Sequence, residues 1–384
     1  MNLSVWTYPW DAADEGIDQV LETVRDEAGC NAISLATAYH ELSQVRPHAR
    51  GARTYIGEGG VIYFRPNLGL YGRIKPTVSR LVDEIDVPRR MSERVAALGM
   101  DLNSWTVLNY HVRHAAAYPD CAVHTAFGDR LPHAVCPAHP DVREYSVALC
   151  ADTVSACDLR VIELESPGFL AFRHNKAGAP LGAWGEYLLS LCFCDSCIRR
   201  AGADGRAARD LVRDELLRIM EGDSDLPPNT TVAGGLAAWR DAHPRFAAYL
   251  DSRTETVASL VGEIHQAVAR ESDTKVVIQG GPFEGFLDAK AMKEIVARIE
   301  GLLVAVYNET PEQAAATVAR GKELAGDGEL IVGVQTHHPE APSSDAWRRK
   351  VRACIDGGAT GLNFYNYGIC TLNQLRGVRA ALNA

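Results

Sequence analysis

No apolar run in the chain approaches the roughly 18 residues that a membrane-crossing helix needs, so no membrane span is expected. Nor is there a concentrated stretch of lysine and arginine. With a formal charge of -10, that argues against nucleic acid as a partner. The opening residues, Met1-Asn2-Leu3-Ser4-Val5-Trp6, lack a basic region followed by an apolar core, and a cytoplasmic location is the expectation. The first strand is not followed by a Gly-rich phosphate turn, because Tyr8-Pro9-Trp10-Asp11 stands there, which disfavours a doubly wound nucleotide-binding sheet. No organic cofactor is implied. Low-complexity linkers and sequence repeats are also missing, so residues 1–384 read as a single unit, with homo-oligomerisation left open.

What is present is a steady alternation of strand and helix patterns. Strand patterns fall at Leu3 to Pro9, Ala32 to His40, Asp101 to His111, Arg160 to Glu165, Lys275 to Gly280, Leu302 to Glu309, Leu330 to His337 and Gly361 to Tyr367. Helical spacing lies between them, and the order implies a parallel sheet. Eight strand–helix units predict a (β/α)8 TIM barrel, the number that closes a ring. The alternation pauses between 166 and 274, which reads as a long cysteine-containing insertion after strand four, built into the barrel. The stretch 41–76 is too long for a bare connector and suits a lid or binding loop.

The fourth strand carries the most informative residues. In Arg160-Val161-Ile162-Glu163-Leu164-Glu165-Ser166-Pro167-Gly168, the two glutamates share one strand face. Carboxylates inside an apolar strand are costly unless paired, and chemistry is one reason to keep them there. Active sites of such barrels lie at the carboxyl ends of the strands. Reading those ends gives Trp6, Tyr8, His40, Asn109, His111, Gln279, Tyr307, Asn308, Gln335, His337, Tyr365 and Tyr367 as walls of one cup. Flat rings and amides with little positive charge suit a small neutral carbohydrate better than a phosphate or an acid. Glycoside cleavage needs two carboxyl groups. Glu165 is the first choice, and Glu309, Glu163 and Glu284 follow as partners.

Cys192-Phe193-Cys194-Asp195-Ser196-Cys197 is the sharpest local motif. A CxCxxC run can wrap three thiolates around one tetrahedral ion, which predicts a structural zinc site with Cys136 or Cys121 as the fourth ligand.

These residues together resemble the clan of barrel glycoside hydrolases that includes family 42 β-galactosidases. The likeness rests on Leu98-Gly99-Met100 leading into Trp105-Thr106-Val107, on Cys136-Pro137-Ala138-His139-Pro140-Asp141, on Ile162-Glu163-Leu164-Glu165, and on the Cys-Phe-Cys-x-x-Cys run. The resemblance implies that Glu165 is the acid/base and that the cysteines hold zinc. The chain departs from the clan in two places: Leu164 replaces the usual Asn before the acid, and Val334-Gln335-Thr336-His337 holds no carboxylate where the nucleophile would fall.

Two other functions fit the same fold. A divalent-metal sugar isomerase, epimerase or lyase would use His40, His111, His337 and Glu165 as ligands. A non-catalytic carbohydrate-binding barrel would use the cup without turnover.

Overall fold

A computed structural model describes residues 1–172, 181–280 and 289–383. Eight strands are central: β1 (Asn2–Thr7), β2 (Ala32–Tyr39), β3 (Asp101–Val107), β4 (Val161–Glu165), β5 (Lys275–Gln279), β6 (Gly301–Ala305), β7 (Glu329–Gln335) and β8 (Gly361–Tyr365). Each pairs in parallel with its neighbours in sequence, and β8 pairs back with β1, so the sheet closes into a (β/α)8 barrel. Strands covered on both faces need no polar alternation, and every residue of β2 and β7 is buried.

Register fixes which side chains fill the interior. Trp6 pairs with Ser34, Trp105 with Glu163, Val107 with Glu165, and Gly333 with Asn363. Residues paired across a parallel sheet share a face, so Trp6, Trp105, Glu163, Glu165 and Asn363 all point inward. The indole of Trp6 needs a gap to cross the barrel. Gly333 provides it: a Cβ there would lie 2.7 Å from Trp6 Cη2.

The segments at the carboxyl end form the decoration. After β2, the ribbon Ser43–Val45 with Thr54–Ile56 rises, and Val61–Ile62 returns antiparallel along the end of β2. After β3 come the helix Val112–Ala117 and the ribbon Ala122–His124 with Arg130–Val135. Between β4 and β5 lie the helices Gly182–Leu189, Asp195–Ala201, Ala203–Glu221, Val232–Ala242 and Pro244–Glu271. Trp184, Leu188, Val212, Leu216, Trp239 and Phe246 give these helices an apolar cluster apart from the barrel core.

Several strand ends differ from the sequence expectation. β3 stops at Val107 rather than His111, β6 at Ala305 rather than Glu309, and β8 at Tyr365 rather than Tyr367. In each case the pattern of β-favouring residues outlasts the hydrogen-bonded ladder. Beyond the ladder the period-two rule no longer dictates where a side chain points.

Candidate active site

Glu163 and Glu165 occupy successive inward layers of β4, about 6.6 Å apart along the strand. Glu163 is fully buried. Its Oε2 accepts from Trp6 Nε1 at 2.8 Å and its Oε1 from Asn363 Nδ2 at 2.9 Å. Glu165, one layer nearer the mouth, keeps 17% of its side chain exposed. Its Oε2 accepts from Trp105 Nε1, and its Oε1 lies 4.0 Å from His40 Nε2. Burial is the dominant influence on both. It pushes Glu165 up to about 7 and Glu163 to about 8, outweighing the N–H donors that favour the ionised forms.

His40 defines the wall beside the acid. Its Nδ1 lies 2.7 Å from the Glu41 carbonyl, which can only accept, so the ring proton sits on Nδ1 and Nε2 offers a lone pair toward Glu165. Burial lowers the histidine's affinity for a second proton. The ring is clamped between Tyr39 and Tyr110, at centroid distances of 4.2 and 4.4 Å. Deeper in the cup, the Tyr8 hydroxyl meets those of Tyr39 at 3.2 Å and Tyr365 at 3.0 Å. Tyr365 also packs against Trp6, Trp105, Tyr307 and His337, closing an aromatic ring around the two carboxyl groups.

The structure therefore gathers Trp6, His40, Glu163, Glu165, Tyr307, His337 and Tyr365. Gln279 joins them by register, since Val277 pairs with Glu163 and Gln279 lies two residues further along the same face. Its Oε1 is buried without a hydrogen-bond partner among the described residues. Gln335 stands at the end of β7 with its amide donating to the carbonyls of His337 and His338, at 3.3 and 3.4 Å.

Other expected site residues point elsewhere. Glu309 lies in the helix layer: Asn308, at φ 56°, turns the chain, and Glu309 Oε1 accepts from Thr317 Oγ1 at 3.2 Å on the following helix. Asn308 itself is exposed in that turn. Asn109 donates to the carbonyls of Pro167 and Gly168, at 2.7 and 3.1 Å, and fixes the exit of β4. His111 caps the helix Val112–Ala117 through Nδ1 and stacks on His114 with ring centroids 3.4 Å apart. Tyr367 is fully buried and donates to Glu15. Glu284 lies outside the described residues. Trp105, Tyr39 and Asn363 are the site residues that the strand-end reading overlooked. Trp105 was visible two positions from Asn103 in β3, and Asn363 two positions before Tyr365.

The metal-ligand set proposed for an isomerase is not assembled. Among the described residues, His40, His111, His337 and Glu165 form no group of donors close enough to share an ion. The cysteines do. Cys136, Cys192, Cys194 and Cys197 are buried, with their sulfurs all within 4.8 Å of one another. Cys136 Sγ lies 3.4 Å from Cys197, 3.5 Å from Cys194 and 3.7 Å from Cys192. Four ligands held about 2.3 Å from one tetrahedral ion would lie about 3.8 Å apart, whereas disulfide sulfurs lie about 2.05 Å apart. This group could hold a metal. Cys121, the other expected fourth ligand, turns instead toward His139 Nδ1 at 3.5 Å.

No protein-family model matches the chain, and no curated protein matches it by sequence. Solved structures do share its fold. An α-L-fucosidase isoenzyme 2 from Paenibacillus thiaminolyticus aligns over 100% of this chain and 49% of its own, with TM-score 0.60 and 12% identity. A β-galactosidase from the psychrophilic Marinomonas ef1 aligns over 100% and 59%, with TM-score 0.60 and 10% identity. The glycoside hydrolase domain of PgaB (BpsB) from Bordetella bronchiseptica aligns over 98% of both chains, with TM-score 0.56 and 14% identity. The chain thus spans about half of the fucosidase and three-fifths of the galactosidase. At these identities the likeness establishes the barrel, and family 42 membership finds no match. Among the described residues, no helix is long and apolar enough to cross a membrane.

Proposed function

We propose that the chain is a glycoside hydrolase acting on a small neutral glycoside, with Glu165 as the proton donor. The observation that carries this reading is the state of Glu165: partly exposed at the mouth of an aromatic cup, its carboxyl held near pH 7 by burial and met by no lysine or arginine among the described residues. A group of that pKa is protonated often enough to donate to a leaving oxygen and can recover its proton afterwards. Trp105 Nε1 fixes one oxygen and leaves the other facing His40. That the similar folds belong to an α-L-fucosidase, a β-galactosidase and a glycoside hydrolase domain supports the same class.

Glu163 is the second carboxyl of this reading. It lies beneath the acid, with both oxygens taken by neutral donors, and when ionised it would stabilise positive charge developing at the sugar ring from below, a state that burial shifts toward higher pH by raising the carboxyl to about 8. The tyrosine hydroxyls and rings around it would orient the sugar and exclude water. For the cysteine group the reading is structural zinc. Its four sulfurs complete the coordination shell, so the ion would tie the loop after β3 to the insertion and leave no open position for substrate. The full burial of Glu163 favours one alternative, a barrel that binds carbohydrate without cleaving it.

The test is turnover of a panel of aryl glycosides by the wild-type chain and by Glu165→Gln. The expected result is hydrolysis of at least one neutral glycoside and a loss of about 10²- to 10⁴-fold in the variant. Equal sugar affinity in both chains with turnover in neither would instead establish the binding barrel.

A further inference from the structure

Arg253, on the helix Pro244–Glu271, is 6% exposed. Its guanidinium lies 3.8 Å from the centre of the Phe169 ring and 6.0 Å from that of Tyr249. Among the described residues no carboxylate pairs with it, and Nη1 has no hydrogen-bond partner. A buried guanidinium without a counter-charge is among the costliest arrangements a protein interior can hold. The groups that act on it electrostatically are Tyr249, Tyr187, Cys197 and Cys192. Tyr249 in turn donates to the Cys192 carbonyl at 2.5 Å, which brings Arg253 within electrostatic reach of the cysteine group. As four neutral thiols that group offers no negative charge. Around a divalent cation, four thiolates carry a net charge of -2, the partner this guanidinium otherwise lacks among the described residues.

We propose that Arg253 is the counter-charge of a tetrathiolate metal site and links that site to the exit of the acid-bearing strand. The proposal rests on the metal reading given above and adds a residue and a direction of coupling to it. The link is physical: Phe169, against which the guanidinium stacks, is four residues beyond Glu165, and the Pro167 and Gly168 carbonyls between them are held by Asn109. Releasing the metal would undo the tetrathiolate arrangement on which Arg253 depends, and the stacked segment 166–170 would loosen with it.

A neighbouring cluster supplies the contrast. Asp120, Cys121, His139 and Asp141 also gather ligand atoms, but Arg73 bridges both carboxylates, at 2.7 and 2.8 Å, so half of the negative charge there is already met by the chain itself. One metal per chain is therefore expected.

The experiment uses cobalt(II) as the probe in the full-length chain, followed by thiolate–cobalt absorption and by competition with a chelator, for the wild type, Cys136→Ser, Arg253→Met and Arg253→Lys. The expected result is one cobalt in the wild type, affinity lowered about 10- to 100-fold in Arg253→Met, and affinity close to wild type in Arg253→Lys, which keeps the charge but not the stack. Hydrogen exchange of residues 166–170 should quicken when metal is stripped from the wild type, and should already be fast in metal-loaded Arg253→Lys. Wild-type cobalt affinity in a folded Arg253→Met overturns the proposal, as does a lysine variant that binds as poorly as the methionine one. If the wild type and Cys136→Ser bind equally little cobalt, the metal reading itself is what fails.

Discussion

At the amino-terminal end of the barrel, Glu329 is buried and meets three partners: Lys275 Nζ at 2.5 Å, Arg160 Nη2 at 3.1 Å and Thr360 Oγ1 at 2.6 Å. At the carboxyl end, buried Glu163 and partly exposed Glu165 meet, among the described residues, only neutral N–H donors and a neutral histidine. Burial would raise all three carboxyl groups. Around Glu329 the two cations and the hydroxyl outweigh it and hold the carboxyl below its ordinary range, while around Glu163 and Glu165 burial wins. Open space does not separate the two ends. A depression of about 820 Å³ lies at the amino-terminal end, lined by Asn2, Asp101, Arg160, Lys275 and Glu329. Charge that is balanced within the chain marks structure, and charge left without a cation marks a place for chemistry.

The comparison can be broken by exchanging the consequences of mutation between the two ends. Glu165→Gln should abolish most turnover, by the factor given above, with thermal stability at pH 6 unchanged or raised, since it removes a buried ionisable group. Glu329→Gln should do the reverse. It leaves Arg160 and Lys275 without their shared carboxylate, and because Lys275 is 45% exposed the expected loss in denaturant unfolding at pH 7 is about 1–3 kcal/mol, with kcat unchanged. Gly333→Ala tests the packing beneath the acid. With Trp6 Cη2 only 2.7 Å from the new Cβ, a loss of about 1–3 kcal/mol is expected, and the displaced indole should release Glu163 Oε2.

The smallest effect is the pH dependence, and its sign follows from the raised values. A proton donor near 7 is depleted above that pH, so kcat/KM should fall about tenfold for each unit beyond pH 8. For Glu163, a folded pKa of about 8 above an unfolded value of 4.5 means that its contribution to stability is complete below about 4.5 and is lost as pH rises through 8. Wild-type stability should therefore decline between pH 5 and 9 more steeply than that of Glu163→Gln. A flat wild-type profile would show that Glu163 is not the buried acid described here. In the glutamine variant Asn363 can turn its amide, since Asn363 Oδ1 is free to accept among the described residues.

The barrel was legible because its strands and helices alternate so regularly, and four of the residues gathered at the carboxyl end could be named because the period-two rule holds on a paired strand. Glu163, Glu165, Trp6 and Tyr365 are such residues. Glu309, His111 and Tyr367 each follow the last paired residue by two to four positions, and at Glu309 an αL turn and at His111 a helix cap reset the direction of the side chain. Cys136 was readable as a candidate partner of the CxCxxC run, though its preference over Cys121 depends on a fold that brings residues 61 apart into contact. Arg253 carried no signal in the sequence. An arginine on an amphipathic helix reads as a solvated one, and only the packed helix of the insertion buries it against Phe169 and Tyr249.

The cysteine group joins the chain at 136 to the chain at 192–197, and the whole of β4 lies between those points. With an ion held by the four sulfurs, the strand that carries both glutamates would be enclosed in a loop closed by sulfur and metal rather than by peptide alone. Such a closure shrinks the set of open conformations available to that segment, so it should be slow to fray and late to exchange. A protease acting on the helices 182–242 could then cut the insertion without freeing the strand.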